Sequence, residues 1–450
     1  MNEISSPTIG FVPLARTTFD IALATEMTEA ARAVLDAAGF TLIGPDDLVT
    51  SVEAAREAAQ ALQATPPDLL LVFQATFADS TMVMALAEAS DAPLLLWAVP
   101  EARTGGRLRL NSLCGINLGA HALKRRGLRY DYVYAAPDDP AALEQVRPLV
   151  GAGRVRRLLR QARIGRVGEH PGGFDSCKLD VEALKTRFGL EIVQLRLPEI
   201  FEEVKAASDA EINAVLDRLR ARLAALEELD QPALRRTLGT YLTLRRYAEQ
   251  ENLHGLAVRC WPEFFTELGC AACGAMSMLS DERIPCSCEA DINGTITQLM
   301  LQWLSGKPAF GTDMVSFEIE NNLAVIWHCG LAPLAMADPE FAARGTIHSN
   351  RQLPLLMEFP LKPGRVTIAR LSEAPGEGHY QLVVGGGEMV RAPMSFSGTS
   401  GVLRFDNGAQ TALDTIMEEG LEHHISLTYG DHVPALLALA EMLRLPVVRL

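Results

Sequence analysis

The sequence lacks a long apolar run, a dense set of cysteines and an excess of basic residues. A membrane-spanning helix needs about 18 uncharged residues in a row, and MNEISSPTIGF at the N-terminus lacks the basic start and apolar core of a signal peptide. Eight cysteines in 450 residues are too sparse for a disulfide framework. The formal net charge of −15 argues against a nucleic-acid partner, because phosphate binding needs basic surfaces. We therefore predict a cytoplasmic globular protein without a membrane or nucleic-acid partner.

Four of the cysteines lie close together, as CAAC at 270–273 and CSC at 286–288. A structural zinc site favours two Cys-x-x-Cys pairs, whereas the second pair here is Cys-x-Cys. We expect buried free thiols in a reducing compartment, with a zinc site as the alternative, at Cys270, Cys273, Cys286 and Cys288.

Short apolar runs alternate with helical patterns over residues 1–155. The runs DLLLVFQA and PLLLWAVP are typical of buried strands, and ADSTMVMALAEASDA between them has a helical period. Buried strands alternating with helices predict a parallel sheet. Residues 156–308 show the same alternation, with LEIVQL as a strand and two long helices near 208–228 and 231–250.

The last part of the chain, residues 309–450, is different. It contains alternating strands and turn signals, including MVSFEIENNLAVIWHCG with an Asn-Asn turn, which are typical of a sandwich or barrel. Its end is a strand, a helix and a strand. The predicted fold class is α/β: two Rossmann-like α/β domains, 1–155 and 156–308, followed by a β-rich C-terminal domain, 309–450, with a terminal βαβ-like unit.

Two carboxylates lie 24 residues apart at the ends of the apolar segment CEADINGTITQLMLQWLSGKPAFGTD. Asp291 or Asn293 can cap a helix that ends at Gly306, so Glu289 precedes a helix N-terminus at the end of a short strand. Asp313 follows a loop and starts the first strand of the β-rich part. Both acids are therefore expected on loops where the second and third domains meet, a favoured place for a small-molecule cleft. The alternatives are that Glu289 only complements the helix dipole and that Asp313 only fixes a turn.

Three of the nine histidines lie inside strand-like apolar sequence: His328 in AVIWHCG, and His423 and His424 in EHHISLTYG. Neighbouring strand residues face opposite sides, so only one of His423 and His424 should face a cleft. A lone strand histidine is more often a core residue than a ligand. Two carboxylates and such histidines at one junction nevertheless favour a Mn²⁺ or Mg²⁺ site with mixed oxygen and nitrogen ligands.

With these residues in place, the sequence resembles the L-fucose/L-arabinose isomerase superfamily over most of its length, most closely the fucose isomerase branch. The segment IGFVPLARTTFD resembles the family's opening strand and loop with a substrate-side arginine, here Arg16. CEADINGTITQLM and FGTDMVSF resemble the two segments with the metal carboxylates, here Glu289 and Asp313. HHISLTYGD resembles the segment with the histidine ligand, which we assign to His424 over His423.

The resemblance implies an aldose–ketose isomerase that acts on a free, non-phosphorylated sugar through a cis-enediolate. It implies Mn²⁺, with Mg²⁺ or Co²⁺ as alternatives, and catalytic roles for Glu289 and Asp313. It also implies a homotrimer or homohexamer whose subunits share active sites. Arg16, His328 and Trp261 would contact the sugar, although His328 matches an extra metal ligand of the arabinose branch and Trp261 has packing as its alternative.

Two other function classes stay open at this point. A metal-dependent lyase or aldolase could use the same ion and enediolate, and a non-catalytic sugar-binding protein could use the same paired α/β domains. The sugar also stays open among L-fucose, D-arabinose, L-arabinose and a modified hexose, including a sulfonated one.

Overall fold

The computed structural model describes residues 6–374, 376 and 379–450. The chain forms two compact units, one ending at Arg157 and the other running from Leu158 to Leu450. Within the described ranges, the structure has no helix that is both long and apolar enough to cross a membrane.

The first unit contains a five-stranded parallel sheet with the order β2-β1-β3-β4-β5. Its strands are β1 (Thr8–Leu14), β2 (Thr41–Ile43), β3 (Leu69–Gln74), β4 (Leu94–Ala98) and β5 (Asp131–Tyr134). Its helices are α1 (Ile21–Ala37), α2 (Val52–Ala64), α3 (Ser80–Glu88), α4 (Ser112–Arg125) and α5 (Pro140–Leu159). Strands β3 and β4 are buried along their whole length, as their continuous apolar sequences predict.

These elements confirm the parallel α/β architecture predicted for the N-terminal part. The strand order 2-1-3-4-5 is one of the two common orders of doubly wound sheets, and the other is the Rossmann order. The finer description as Rossmann-like stays a prediction.

The second unit begins with a four-stranded parallel sheet in the order β7-β6-β8-β9. Its strands are β6 (Arg163–Val167), β7 (Glu191–Leu195), β8 (Gly255–Val258) and β9 (Cys286–Ser287). The helices are α6 (Val181–Phe188), α7 (Leu197–Lys205), α8 (Asp209–Arg220), α9 (Gln231–Gln250), α10 (Cys273–Asp281) and α11 (Ile292–Ser305). Short helical turns lie at Asp175–Cys177, Leu226–Glu228, Phe264–Leu268 and Cys288–Ala290.

Helix α8 is shorter than the predicted 208–228. It ends at Arg220, and no glycine or proline between Asp217 and Asp230 marks that end in the sequence. Helix α11 has the predicted ends: the Asp291 side chain accepts a hydrogen bond from Gly294 N at 2.9 Å, and Gly306 adopts a left-handed conformation with φ of 65°. A capping carboxylate and a left-handed glycine are strong local signals, and α11 carries both.

The rest of the second unit is a nine-stranded sheet in the order β12-β13-β16-β11-β10-β17-β14-β15-β18. The strands are β10 (Phe310–Glu318), β11 (Leu323–His328), β12 (Arg344–Thr346), β13 (Leu356–Pro360), β14 (Gly364–Glu373), β15 (Tyr380–Val390), β16 (Thr399–Phe405), β17 (His424–Tyr429) and β18 (Val447–Arg449). Helices α12 (Ala409–Glu418) and α13 (Val433–Leu443) and the short turns Ile319–Asn321 and Leu334–Met336 complete it.

An additional pairing between β15 and β16 closes part of this sheet into a barrel. The barrel consists of six antiparallel strands in the order β16, β11, β10, β17, β14 and β15. Of the two β-rich folds that the turn pattern predicted, the structure therefore has the barrel. The terminal strand, helix and strand are present, but β17 and β18 are separated in the sheet by β14 and β15, so they are not the adjacent strands of a βαβ unit.

One hydrophobic core runs through the second unit. It begins at Val167 and includes residues of the four-stranded sheet, its helices and the barrel, up to Leu450. The predicted second and third domains, 156–308 and 309–450, therefore share a core, and their separation into two domains stays a prediction.

Candidate active site

Glu289 lies in a buried turn between β9 and α11. Glu289 and Ala290 both have left-handed backbone angles, with φ of 59° and 55°. A non-glycine residue in this region costs of order 1–3 kcal/mol, so the surrounding packing must hold the turn in place. The prediction that Glu289 follows a short strand and precedes a helix is confirmed, and the unusual backbone fixes the direction of its side chain.

Asp313 and His424 are directly opposite each other on the neighbouring strands β10 and β17. Opposite residues of an antiparallel pair have their side chains on the same face. Accordingly, Asp313 Oδ1 lies 3.7 Å from His424 Nε2. The expected loop position of Asp313 is wrong, because β10 already begins at Phe310 and Asp313 lies inside the strand.

His423 and His424 both contact Glu289, although the sequence predicted that only one of them would face the cleft. Their Nε2 atoms lie 3.3 Å and 3.8 Å from Glu289 Oε2, and the two ring centroids are 4.1 Å apart. The prediction was wrong because β17 begins at His424, so His423 lies in a bend before the strand and the two-residue alternation does not apply to it.

Glu289 is held as a carboxylate by the groups around it. Burial raises its pKa, but the hydrogen bond from His423, the charge of His424 and the hydrogen bond from Trp261 together hold that pKa below its usual range. Trp261 Nε1 donates to Glu289 Oε1 at 3.1 Å, while His423 contacts the other oxygen. Both oxygens of Glu289 therefore have fixed partners.

A buried charge network lies behind His424. His424 Nδ1 is 3.0 Å from Asp291 Oδ2, and Arg370 Nη1 is 2.5 Å from the same oxygen. Burial raises the pKa of Asp291, but the charge of Arg370 and the hydrogen bond from His424 outweigh it and hold the pKa well below the ordinary value. Asp291 contacts Nδ1 of His424, so Nε2 is the ring nitrogen that faces Glu289 and Asp313.

The residues around His424 have the donor chemistry of a metal site. Potential ligand atoms within 4.8 Å of one another form two groups among the described residues, Cys177 with Glu289 and His424, and Asp313 with His423 and His424. The predicted ligands Glu289, Asp313 and His424 do not form one of these groups together. His424 belongs to both groups, and its Nε2 lies near the carboxylates of both Glu289 and Asp313. Asp313 Oδ1 is buried and has no hydrogen-bond partner in the described part of the chain, as an oxygen available to a cation would be.

The predicted sugar-contacting residues are found in different surroundings. Trp261 contacts Glu289 through its indole N–H and packs edge-on against Phe174 at 5.2 Å, so it has more than a packing role. The His328 ring is buried with its centroid 6.0 Å from that of His424. Arg16 belongs to the first unit, where its Nη2 lies 3.3 Å from Asp79 Oδ2. The contacts of these three residues with sugar stay predictions.

Several residues of the site were not identified from the sequence. Asp291 was recognised only as a helix cap, and Arg370 lies 79 positions away in β14, where no local pattern marks it. Cys177 Sγ lies 3.9 Å from Glu289 Oε2, and burial raises the pKa of its thiol, so it stays protonated. His423 also belongs to the site, and its position next to His424 in the sequence was the one signal that could have indicated this.

The four clustered cysteines do not come together as a group. Cys288 Sγ is 2.8 Å from Cys260 Sγ, and Cys273 Sγ is 3.3 Å from Cys329 Sγ. Cys270, Cys273, Cys286 and Cys288 are all buried and outside disulfides, as expected, whereas the absence of zinc from them stays a prediction.

Two family models match this chain. The model described as the N-terminal domain of fucose/sulfoquinovose isomerase matches residues 10–157, and that of the C-terminal domain of L-fucose isomerase matches residues 357–450. The matched ranges contain Arg16, Arg370, His423 and His424, whereas Glu289 and Asp313 lie between them.

Similar whole proteins are sulfoquinovose isomerases. The one from Priestia aryabhattai is 33% identical over 445 residues, covering 98% of this chain and 99% of that protein. The one from Alkalicoccus urumqiensis is 32% identical over 444 residues with the same coverage. Among solved structures, a solute-binding protein from Agrobacterium vitis bound with α-D-tagatopyranose is 15% identical, covers 67% of this chain and 90% of its own, and has a TM-score of 0.19, which supports no conclusion.

The likeness to these isomerases extends over nearly the whole chain. The chain therefore belongs to the fucose/sulfoquinovose isomerase family of aldose–ketose isomerases.

Proposed function

We propose that this aldose–ketose isomerase converts sulfoquinovose, a hexose with a sulfonate at C6, into the corresponding ketose by metal-dependent proton transfer through a cis-enediolate. The observation that carries the chemistry is the position of His424 Nε2, 3.8 Å from Glu289 and 3.7 Å from Asp313. The substrate is proposed from the sulfoquinovose isomerases that this chain matches at 30–33% identity over 97–98% of its length.

Glu289, Asp313 and His424 would hold the divalent ion, which we propose to be Mn²⁺ with Mg²⁺ or Co²⁺ as alternatives. Two carboxylates and one imidazole are the mixed oxygen and nitrogen donor set that such ions bind. Two features fit this role: Oδ1 of Asp313, which has no hydrogen-bond partner among the described residues, and Nε2 of His424, which faces both carboxylates. When bound, the ion supplies Lewis-acid stabilisation of negative charge on the sugar oxygens.

The two carboxylates would carry out the proton transfers. Isomerisation moves one proton between C1 and C2 and a second proton between O1 and O2. One of Glu289 and Asp313 accepts the carbon-bound proton and the other serves the oxygens, each as a general acid–base group. The lowered pKa of Glu289 keeps it deprotonated before the reaction, and Trp261 and His423 hold its two oxygens in position.

The buried charge network would keep the imidazole in the required form. Asp291 accepts the Nδ1–H of His424, and Arg370 balances the charge of Asp291. Such an outer carboxylate fixes the tautomer and the orientation of a ligating histidine, and its loss typically lowers metal affinity about 10- to 100-fold.

The function is tested with a panel of aldoses incubated with Mn²⁺-loaded protein in D₂O and followed by ¹H NMR. The panel contains sulfoquinovose, L-fucose, D-arabinose and L-arabinose. We expect a ketose product from sulfoquinovose, with deuterium at the carbon that exchanges its proton. Shorter carbon chains among the products would indicate a lyase, and no turnover of any aldose would refute the proposal.

Metal dependence needs its own measurement. EDTA-treated protein should lose turnover and regain it with Mn²⁺ better than with Zn²⁺, because oxygen-rich sites favour Mn²⁺. Full activity after complete chelation, checked by elemental analysis, would remove the metal from the mechanism. The homotrimer or homohexamer with shared active sites is also a proposal, and sedimentation analysis of the active protein tests it.

A further inference from the structure

Arg351 is an exposed cation stacked on aromatic rings beside the site. Its guanidinium carbon lies 5.0 Å from the Trp261 ring centroid and 5.1 Å from that of Phe265. Within the described part of the chain, its side-chain partners are these two rings and the imidazole of His348, and none of the three carries a negative charge. The two rings hold the guanidinium without neutralising it.

The turn that carries Arg351 has more hydrogen-bond donors than acceptors. Asn350 N lies 3.3 Å from His348 Nδ1, and Arg351 Nη1 lies 3.3 Å from His348 Nε2. Burial and the charges of Arg351 and His328 lower the pKa of His348 to about 4, so the ring is neutral and has one N–H and one acceptor. Whichever nitrogen carries the hydrogen, three donors (Asn350 N–H, an Arg351 N–H and the ring N–H) face a single acceptor, so a bound group with acceptor oxygens would be favoured here.

The same residues are linked to the proposed catalytic groups. The indole of Trp261 donates its N–H to Glu289 with its edge and presents its face to Arg351. His328, whose ring lies 6.0 Å from that of His424, is close enough to affect the pKa of His348. The side chain of Trp261 therefore lies between Arg351 and Glu289, a proposed metal ligand.

We propose that Arg351 and His348 form a subsite for the anionic group at the far end of the sugar, so that they determine selectivity for a sulfonated over a neutral hexose. A sulfonate has three acceptor oxygens and a permanent negative charge. The guanidinium fork binds such a group through paired charge-assisted hydrogen bonds, and the His348 N–H can supply another donor. This inference rests on the proposed function, because it assumes that the sugar is bound with its carbonyl end at Glu289 and Asp313.

The backbone keeps the subsite in place without help from a ligand. The carbonyl of His348 accepts hydrogen bonds from Arg351 N at 3.2 Å and from Gln352 N at 2.7 Å. The His348 ring packs edge-on against Phe265 with the centroids 5.3 Å apart. Arg351 is therefore presented on a fixed turn, and replacing its exposed side chain should leave the fold intact.

The first experiment compares Arg351→Gln with the wild type on sulfoquinovose and on 6-deoxy-D-glucose, which lacks the sulfonate. The measured quantity is the ratio of kcat/KM for the two aldoses. We expect the ratio to fall about 10- to 100-fold, the usual effect of losing charge-assisted hydrogen bonds, and to fall mainly through KM for sulfoquinovose. Arg351→Lys keeps the positive charge but lacks the paired N–H donors of the guanidinium, so its kcat/KM ratio should lie between those of Arg351→Gln and the wild type.

The matched control is Arg404→Gln, which removes an exposed arginine from β16, where its strand neighbours are Leu323 and Glu388. This variant should leave the ratio at the wild-type value. An equal loss in the control would mean that overall charge, and not Arg351, determines selectivity, and would overturn the inference.

A binding measurement separates the subsite from the isomerase activity. The probe is 6-deoxy-6-sulfo-D-glucitol, which has no carbonyl and cannot isomerise, titrated calorimetrically into EDTA-treated wild-type and Arg351→Gln protein. We expect binding to weaken at least about 10-fold in the variant. Arg351-dependent binding without turnover of sulfoquinovose would support the subsite and refute the proposed function. Turnover by the wild type with unchanged ratio and unchanged binding in the variant would overturn the subsite and leave the function standing.

Discussion

Replacing Asp291 by asparagine should destabilise the protein and weaken metal binding at the same time. The side chains of Arg370 and Asp291 are 2% and 1% exposed, so the substitution leaves the buried guanidinium of Arg370 beside a neutral amide in place of a carboxylate. Breaking such a pair from one side costs about 3–5 kcal/mol. Glu422, 3.8 Å from Arg370, still offsets part of the charge, so we expect the lower end, about 3 kcal/mol.

Asp291 also caps α11, and the capping should survive the substitution. Asparagine caps a helix about as well as aspartate, so the bond from Gly294 N to Oδ1 is kept, and the loss comes from the oxygen Oδ2 that faces Arg370 and His424. An amide cannot hold the Nδ1–H of His424 as a carboxylate does, and Mn²⁺ affinity should fall about 10- to 100-fold. The measurements are urea unfolding of the EDTA-treated protein and calorimetric titration with Mn²⁺.

A matched control is available on the same strand. Arg365, also on β14, pairs with Asp406, and these side chains are 37% and 45% exposed. Asp406→Asn should therefore change the free energy of unfolding by less than about 1 kcal/mol. The double variant Asp291→Asn/Arg370→Met should recover much of the lost stability, because no buried cation remains, but should not recover Mn²⁺ affinity. If the free energy of unfolding of Asp291→Asn lies within about 1 kcal/mol of the wild-type value, the buried Asp291–Arg370 pair contributes little to stability.

Three further outcomes are expected. Asp313→Asn should lower turnover about 10²- to 10⁴-fold even at saturating Mn²⁺, while the free energy of unfolding of the metal-free protein should change by less than about 1 kcal/mol. Glu318→Gln on the same strand is the control. Wild-type turnover by Asp313→Asn would mean that Asp313 has a structural role only. Because the folded pKa of Asp291 lies below the unfolded one, its contribution to stability is present above about pH 4 and is lost as the pH falls further; acid titrations of Asp291→Asn should show a weaker dependence, and an identical one would contradict this. Elemental analysis should find no tightly held zinc on Cys270, Cys273, Cys286 and Cys288, and zinc that persists after EDTA treatment has removed any ion at the proposed metal site would contradict this.

The features that the sequence predicted correctly depend on short-range signals. The ends of α11 follow from Asp291 and Gly306, and the position of Glu289 follows from that helix. The parallel sheet of the first unit follows from the fully apolar runs that became β3 and β4. Each signal acts within a few residues, where backbone geometry limits the choices.

The features that it missed depend on contacts between distant parts of the chain. Arg370 meets Asp291 across 79 positions and Cys177 meets Glu289 across 112, and no periodicity encodes such a meeting. The error at His423 was of another kind, because the alternation rule was applied one residue outside the strand where it holds. The loop expected at Asp313 failed because the glycine and proline of GKPAFGT precede β10, which begins within that segment.

The closed barrel gives the two sides of the site different kinds of support. Asp313 lies on β10 and His424 on β17, and each of these strands is hydrogen-bonded to a neighbour on both sides. Amides that are hydrogen-bonded inside such a ring of strands exchange with solvent deuterium only when the ring opens, an event close to global unfolding. Glu289 instead follows β9, a two-residue strand at the edge of its sheet. The position of Glu289 therefore depends on side-chain packing and on the contacts from Trp261 and His423, whereas the positions of Asp313 and His424 depend on the backbone hydrogen bonds of the barrel.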